Sequence, residues 1–204
     1  MENTLSDAVK ARIPSEEEDE FIQKSLAGAV SLFMGLPVLA DADRIVTTIL
    51  FSNATKTIAA QPDCPRNVTA TLTDADDSVV GLLTITGKDM MGRTIVETMA
   101  PDGEGAGKTL TGTKIFAKID SVVVSGASGA EADVDMLVVG VGNVIGVPYD
   151  VPDVDAVRHV YLGGARIATP TVAIGVSTSG IDASGGTYNG SKVLHAIIQP
   201  TARV

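Results

Sequence analysis

Apolar and polar residues alternate most plainly between residues 67 and 99. Val68, Ala70 and Leu72 fall on one side of residues 67–73, and Asn67, Thr69, Thr71 and Thr73 on the other. That period of two is the mark of a strand with one buried face. Leu83 and Ile85 against Thr84 and Thr86 repeat it, residues 87–92 supply a Gly-bounded loop, and residues 93–99 return. The pattern predicts a β-hairpin. The aspartates Asp74, Asp76 and Asp77 before it read as a turn. Residues 44–51, 114–124, 133–141 and 143–147 read as further strands, followed after Pro148 by 157–162, 171–176 and 192–199. The stretch 177–191 is rich in Gly and Ser and reads as a surface loop. Many short strands with turn signals between them predict a mainly β fold, a β-sandwich or small β-barrel.

The first forty residues carry a different pattern. Ser15 is followed by Glu18 at capping-box spacing, Pro14 stands just ahead, and Glu16, Glu17, Glu18, Asp19 and Glu20 fill the first turns. Negative charge there complements a helix dipole. With Phe21, Ile22 and Leu26 on one apolar side, a helix is expected over residues 15–24, running on towards Phe33. The chain therefore divides into an N-terminal helical or extended arm (residues 1–43), a β-sandwich domain (44–148) and a C-terminal β segment (149–204). That last segment either completes the sandwich or forms a small subdomain.

Composition narrows the core. Hydrophobic residues make up 45% of the chain, yet aromatics are 3% and Trp is absent. The interior must then be built from Val, Ile, Leu, Ala and Met. A net charge of −10 without any basic cluster repels phosphate backbones, so nucleic acid is not an expected partner. The most apolar run, residues 26–40, is shorter than the ~20 residues a membrane helix needs and contains Gly28, Gly35 and Pro37. No membrane partner is expected. The acidic run stands where a secretory leader carries basic charge, so no leader is expected either. Cys64 is the single cysteine. It reads as a small, partly buried hydrophobe rather than a nucleophile.

Candidate chemistry is sparse. His159 and His195 each lie in an expected strand, with no nucleophile elbow or triad pattern nearby. A cross-strand or interface hydrogen bond is the expected role. Asp150, Asp153 and Asp155 offer oxygen ligands that calcium accepts, but lack the glycine and distal glutamate of an EF-hand loop. A solvated connector is the default there, and calcium stays open. The Gly-rich run ending in Lys108 and Thr109 departs from the phosphate-loop pattern, since Asp102 stands five before Gly107. The sequons at Asn53 and Asn67 read as coincidences. No catalytic residue, cofactor or metal is expected, and the chain is not read as an enzyme.

Residues 65–148 carry a recurrent set of features. Arg66-Asn67-Val68-Thr69 opens a strand, and Thr84-Ile85-Thr86-Gly87-Lys88-Asp89 runs into the turn at Gly92. Glu97-Thr98 closes the hairpin, and residues 109–119 (TLTGTKIFAKI) lead to Ser121-Val122. The run Val139-Gly140-Val141-Gly142-Asn143 ends at Gly146-Val147-Pro148. This stretch resembles a module of tailed-bacteriophage virion structural proteins of the head decoration (cement) or minor capsid type. The resemblance implies a small β-sandwich on the exterior of a phage capsid, made in the host cytoplasm. It would bind the major capsid protein and stabilise its lattice. It also implies association with itself, as a homotrimer or other homo-oligomer. A tail or head–tail connector subunit and a receptor- or glycan-binding module are the alternatives. On this reading residues 1–39 act as a clamp, with Phe21, Ile22, Leu26, Leu32, Phe33 and Leu36 as expected contacts with the capsid.

Overall fold

The computed structural model describes residues 29–73, 79–100, 108–130, 135–148, 151, 153–174 and 179–199. The chain is mainly β, with curled antiparallel sheets forming a half-barrel. In chain order its first strands are β1 (Val30–Gly35), β2 (Asp41–Leu50), β3 (Ala54–Lys56), β4 (Arg66–Thr73), β5 (Val80–Lys88), β6 (Thr94–Met99) and β7 (Lys108–Phe116). The others are β8 (Lys118–Ser128), β9 (Met136–Gly146), β10 (Val157–Leu162), β11 (Ala165–Arg166), β12 (Thr171–Ala173), β13 (Gly180–Asp182) and β14 (Leu194–Ile198).

Two sheets form the half-barrel. One runs β12-β13-β9-β4-β7, with β2 also paired to β9, and the other runs β3-β8-β5-β6. The alternation read from the sequence sets their inner faces. Val68, Ala70 and Leu72 point inward with Leu83 and Ile85, against Val122, Val124, Val139 and Val141. Each such valine, leucine or isoleucine contributes about 1.5–3 kcal/mol on leaving water. The expected single strand over 114–124 is two strands, because the chain turns a corner at Ala117 and changes sheets. The Ala117 N–H donates to the Lys88 carbonyl at 2.8 Å, and Phe116 and Ile119 are buried on either side. Gly87 lets the hairpin meet this corner, since a Cβ there would lie 2.1 Å from the Lys118 carbonyl oxygen. In the opposite sense, the two runs expected over 133–141 and 143–147 are one strand, β9.

A third sheet, β1-β14-β10-β11, covers a second core that includes Met34, Ile145, Val160, Leu162, Tyr188 and Leu194. Two expectations fail here. The helix read as running on towards Phe33 gives way to strand β1, which pairs antiparallel with β14, Ser31 opposite Ile197 and Phe33 opposite His195. An apolar run of this length fits either state, and the ladder offered by β14 decides it. The helix over 15–24 itself, with Phe21, Ile22 and Leu26, lies outside the described residues. The stretch 177–191 is not simply a surface loop. It contains β13, whose Ile181 sits opposite Ile145 of β9, and Tyr188, which is fully buried. The Tyr188 hydroxyl accepts from the Ala183 N–H at 2.7 Å and donates to the Asn143 carbonyl at 3.3 Å.

Arg66 ties the two cores together. It is fully buried and donates to the carbonyls of Gly142 and Val38 and to the Asp63 carboxylate. A buried guanidinium persists only when its N–H groups are met in this way. Burial alone would raise the Asp63 carboxyl. The Val38 N–H and the Arg66 guanidinium outweigh it and hold Asp63 below the usual range.

Candidate functional site

The outer face of the third sheet gathers the half-buried His159, Tyr161 and His195 beside the exposed Phe33. In β14, Leu194, Ala196 and Ile198 are buried, so His195 and Ile197 take the other face. In β10, Val160 and Leu162 turn inward and His159 and Tyr161 outward. In β1, Met34 is buried and Leu32 packs against the second core, which leaves Ser31 and Phe33 outward. Register then aligns the rows: Phe33 opposite His195, His195 opposite Tyr161, and Tyr161 opposite Arg166. Ser31 lies opposite Ile197 and Ile197 opposite His159.

The rings touch along this face. His159 meets Tyr161 edge-on with centroids 6.3 Å apart, and Tyr161 meets His195 at 6.2 Å, within the range of favourable aromatic contact. The Ser31 hydroxyl is hydrogen-bonded to His195 Nε2 across the β1–β14 ladder. The stripe ends at Phe33, which is 71% exposed, and Leu36 and Leu39 beyond it are 48% and 56% exposed. Burial, and then the charges of Arg166 and Arg158, push the His159 imidazole below its ordinary value. Both effects favour the neutral ring. The face therefore offers aromatic and aliphatic surface at one end and two guanidinium groups at the other.

Of the expected contact residues, Phe33 and Leu36 are exposed on or beside β1, whereas Leu32 is half-buried under the sheet. The period of two in a strand sends neighbours Leu32 and Phe33 to opposite sides. Phe21, Ile22 and Leu26 lie outside the described residues. His195 makes a cross-strand hydrogen bond, while His159 Nδ1 is buried with no partner among the described residues. Tyr161 and Arg166 also belong to this face, though neither stands out by residue type. The alternation of His159 and Tyr161 with Val160 and Leu162 was the available signal for the tyrosine.

Elsewhere the candidate chemistry resolves into structural roles. Asp153 accepts from the Asp155 N–H at 3.0 Å and so caps a short 3-10 turn, and Asp150 lies outside the described residues. Among the described residues no group of three or more His, Cys, Asp or Glu side chains converges as a metal site. No described helix is long and apolar enough to cross a membrane. Cys64 packs against the second core. Asn67, of the second sequon, is buried. Comparison with known protein families, with curated proteins and with solved structures found no match to this chain.

Proposed function

We propose that this protein is a virion structural protein that decorates a tailed-phage capsid, binding the outer surface of the head and stabilising the major capsid lattice. The observation that carries the reading is the exposed apolar end of the outer stripe. Phe33, Leu36 and Leu39 are exposed, on and beside strand β1 at the edge of its sheet. Exposed aromatic anchors of this kind are the usual centres of protein interfaces, and an edge strand offers its backbone to a partner. The resemblance over residues 65–148 points the same way, since those residues build much of the half-barrel. A net charge of −10 suits an exterior position better than one against packaged DNA.

In this reading the major capsid protein is the main partner, further copies of the chain associate at its local symmetry axes, and the protein reaches the head from the host cytoplasm. Strand β1 belongs to the body because it pairs with β14, so the removable part of the clamp ends before Ala29.

The test is binding of the purified full chain to heads prepared without it. Wild type is expected to co-sediment saturably. A Phe33→Asp, Leu36→Asp variant is expected to bind roughly tenfold more weakly or worse, with an unchanged circular dichroism spectrum because both side chains are exposed. Equal binding by the variant would remove this contact surface. Failure of wild type to bind would remove the capsid role.

A further inference from the structure

Beside the arginine end of the outer stripe the fold builds a cleft with a chemistry of its own. Strand β10 turns back into β11 through Gly163 and Gly164, both at positive φ, +60° and +83°, the two-residue turn that glycines favour. The turn sets Arg166 opposite Tyr161. The chain then folds alongside β10, with the Ile167 N–H donating to the Val160 carbonyl at 2.8 Å. Between these segments lies a cleft of about 320 Å³. Its polar lining is Arg158, His159, Arg166 and Thr169, and its apolar lining includes Val157, Ile167, Pro170 and Val172.

Among the described residues no carboxylate lines this cleft, although the chain carries 25 acidic residues. Arg158 is steadied by the Gln199 side-chain carbonyl, which accepts from its Nε at 2.9 Å and its Nη2 at 2.7 Å. This leaves Nη1 uncommitted among the described residues. Arg166 makes no ion pair within the described residues. His159 Nδ1 is buried and unpartnered among them, a cost that a ligand acceptor or donor would relieve. Guanidinium groups favour a planar oxyanion, two of them line this cleft, and the aliphatic walls favour a short hydrocarbon stem behind it.

We infer that this cleft is a binding site for a carboxylate carried on a short aliphatic stem. The chemistry is shared by a free short-chain acid and by a glutamate side chain of a partner protein. The inference stands apart from the capsid reading, since it rests on different residues and is read without particles.

Full-length protein labelled at the histidine rings reports the site by NMR. Sodium butyrate is titrated against sodium chloride at equal ionic strength, with acetate and N-acetyl-glutamic acid α-amide as further arms. Butyrate is expected to shift the His159 resonances saturably and to raise the pH midpoint of His159, because a bound anion offsets the two arginines. His195, hydrogen-bonded to Ser31 and outside the cleft lining, serves as the reference. Acetate is expected to bind more weakly, for want of a stem. Arg166→Gln, at an exposed position, is expected to weaken butyrate binding about tenfold. Tighter binding of the glutamate amide than of butyrate assigns the site to a protein partner, and the reverse order to a free acid. An identical His159 titration in butyrate and chloride, or an Arg166→Gln variant that binds as well as wild type, overturns the inference.

Discussion

Glu97 on β6 accepts a hydrogen bond from the backbone N–H of Thr113 on β7 at 2.6 Å. Each strand is the last of its sheet, so this carboxylate joins two edges that no ladder joins. The same oxygen takes the Thr113 hydroxyl at 3.2 Å and the Lys114 N–H at 3.3 Å, and the Lys114 ammonium donates to the Val96 carbonyl. Two extra residues in β7 create the opening. Asn67 and Thr69 of β4 lie opposite Ile115 and Thr111, and the bulge between them turns its N–H groups away from β4. Glu97→Ala is expected to lower stability by about 2 kcal/mol, measured by urea denaturation. Glu97→Gln, which keeps an acceptor, should lose less. An unchanged midpoint in Glu97→Ala would show that the seam holds without the carboxylate.

Asn67 is the counterpart on the other side of β4. Strand β9 also bulges there, with Arg66 and Val68 opposite Ile145 and Val141. The Asn67 amide donates to the Gly112 carbonyl at 3.1 Å and accepts from the Val144 N–H at 3.0 Å, so one side chain satisfies both bulges. Asn67→Ala leaves the buried Gly112 carbonyl and the partly buried Val144 N–H unmet and is expected to cost about 2–3 kcal/mol. The loss should appear as a lower denaturant midpoint at unchanged slope. A loss no larger than that of a surface substitution would contradict this role.

Asp89 organises the hairpin turn. Burial alone would raise its carboxyl, but the Arg93 guanidinium and the N–H groups of Arg93 and Met91 outweigh it and hold it below the usual range. An unfolded aspartate titrates near ~3.9. The stabilisation is therefore complete above that value and is lost as pH falls through the lower folded value. Asp89→Asn is expected to cost about 1–2 kcal/mol at neutral pH, with the wild-type and variant stabilities converging as pH falls through the lowered folded value. A gap that stays constant with acid would contradict the assignment.

The Cys64 thiol is pushed up to about 12, by burial first and then by the Asp63 charge beside it. At pH 8 it is almost wholly protonated. Alkylation by iodoacetamide should be slower in the folded protein than in urea by on the order of a hundredfold. Equal rates would show an accessible thiolate.

The parts of this fold that could be read along the chain are those whose packing repeats locally. The inward row Val68, Ala70 and Leu72 and the hairpin inward pair Leu83 and Ile85 announce themselves because every second residue meets the same core. Strands defined by a distant partner do not. β1 owes its state to β14, far along the chain, and an apolar run alone cannot choose between helix and strand. β13 is three residues in a Gly- and Ser-rich stretch, visible only once Ile181 is set against Ile145. Tyr188 looks like loop sequence until its hydroxyl finds Ala183 and Asn143. The outer stripe shows the same limit. His159 and His195 stand out by residue type, but their alignment with Phe33, Tyr161 and Arg166 is a matter of register across four strands.

The proposed contact between this surface and a capsid lattice can be seen by imaging purified particles with and without the chain. Density over the outside of the head, at on the order of hundreds of copies arranged on the local symmetry axes, is the predicted result. A single ring of about a dozen copies at the tail or the head–tail junction, or particles identical in both preparations, would contradict it.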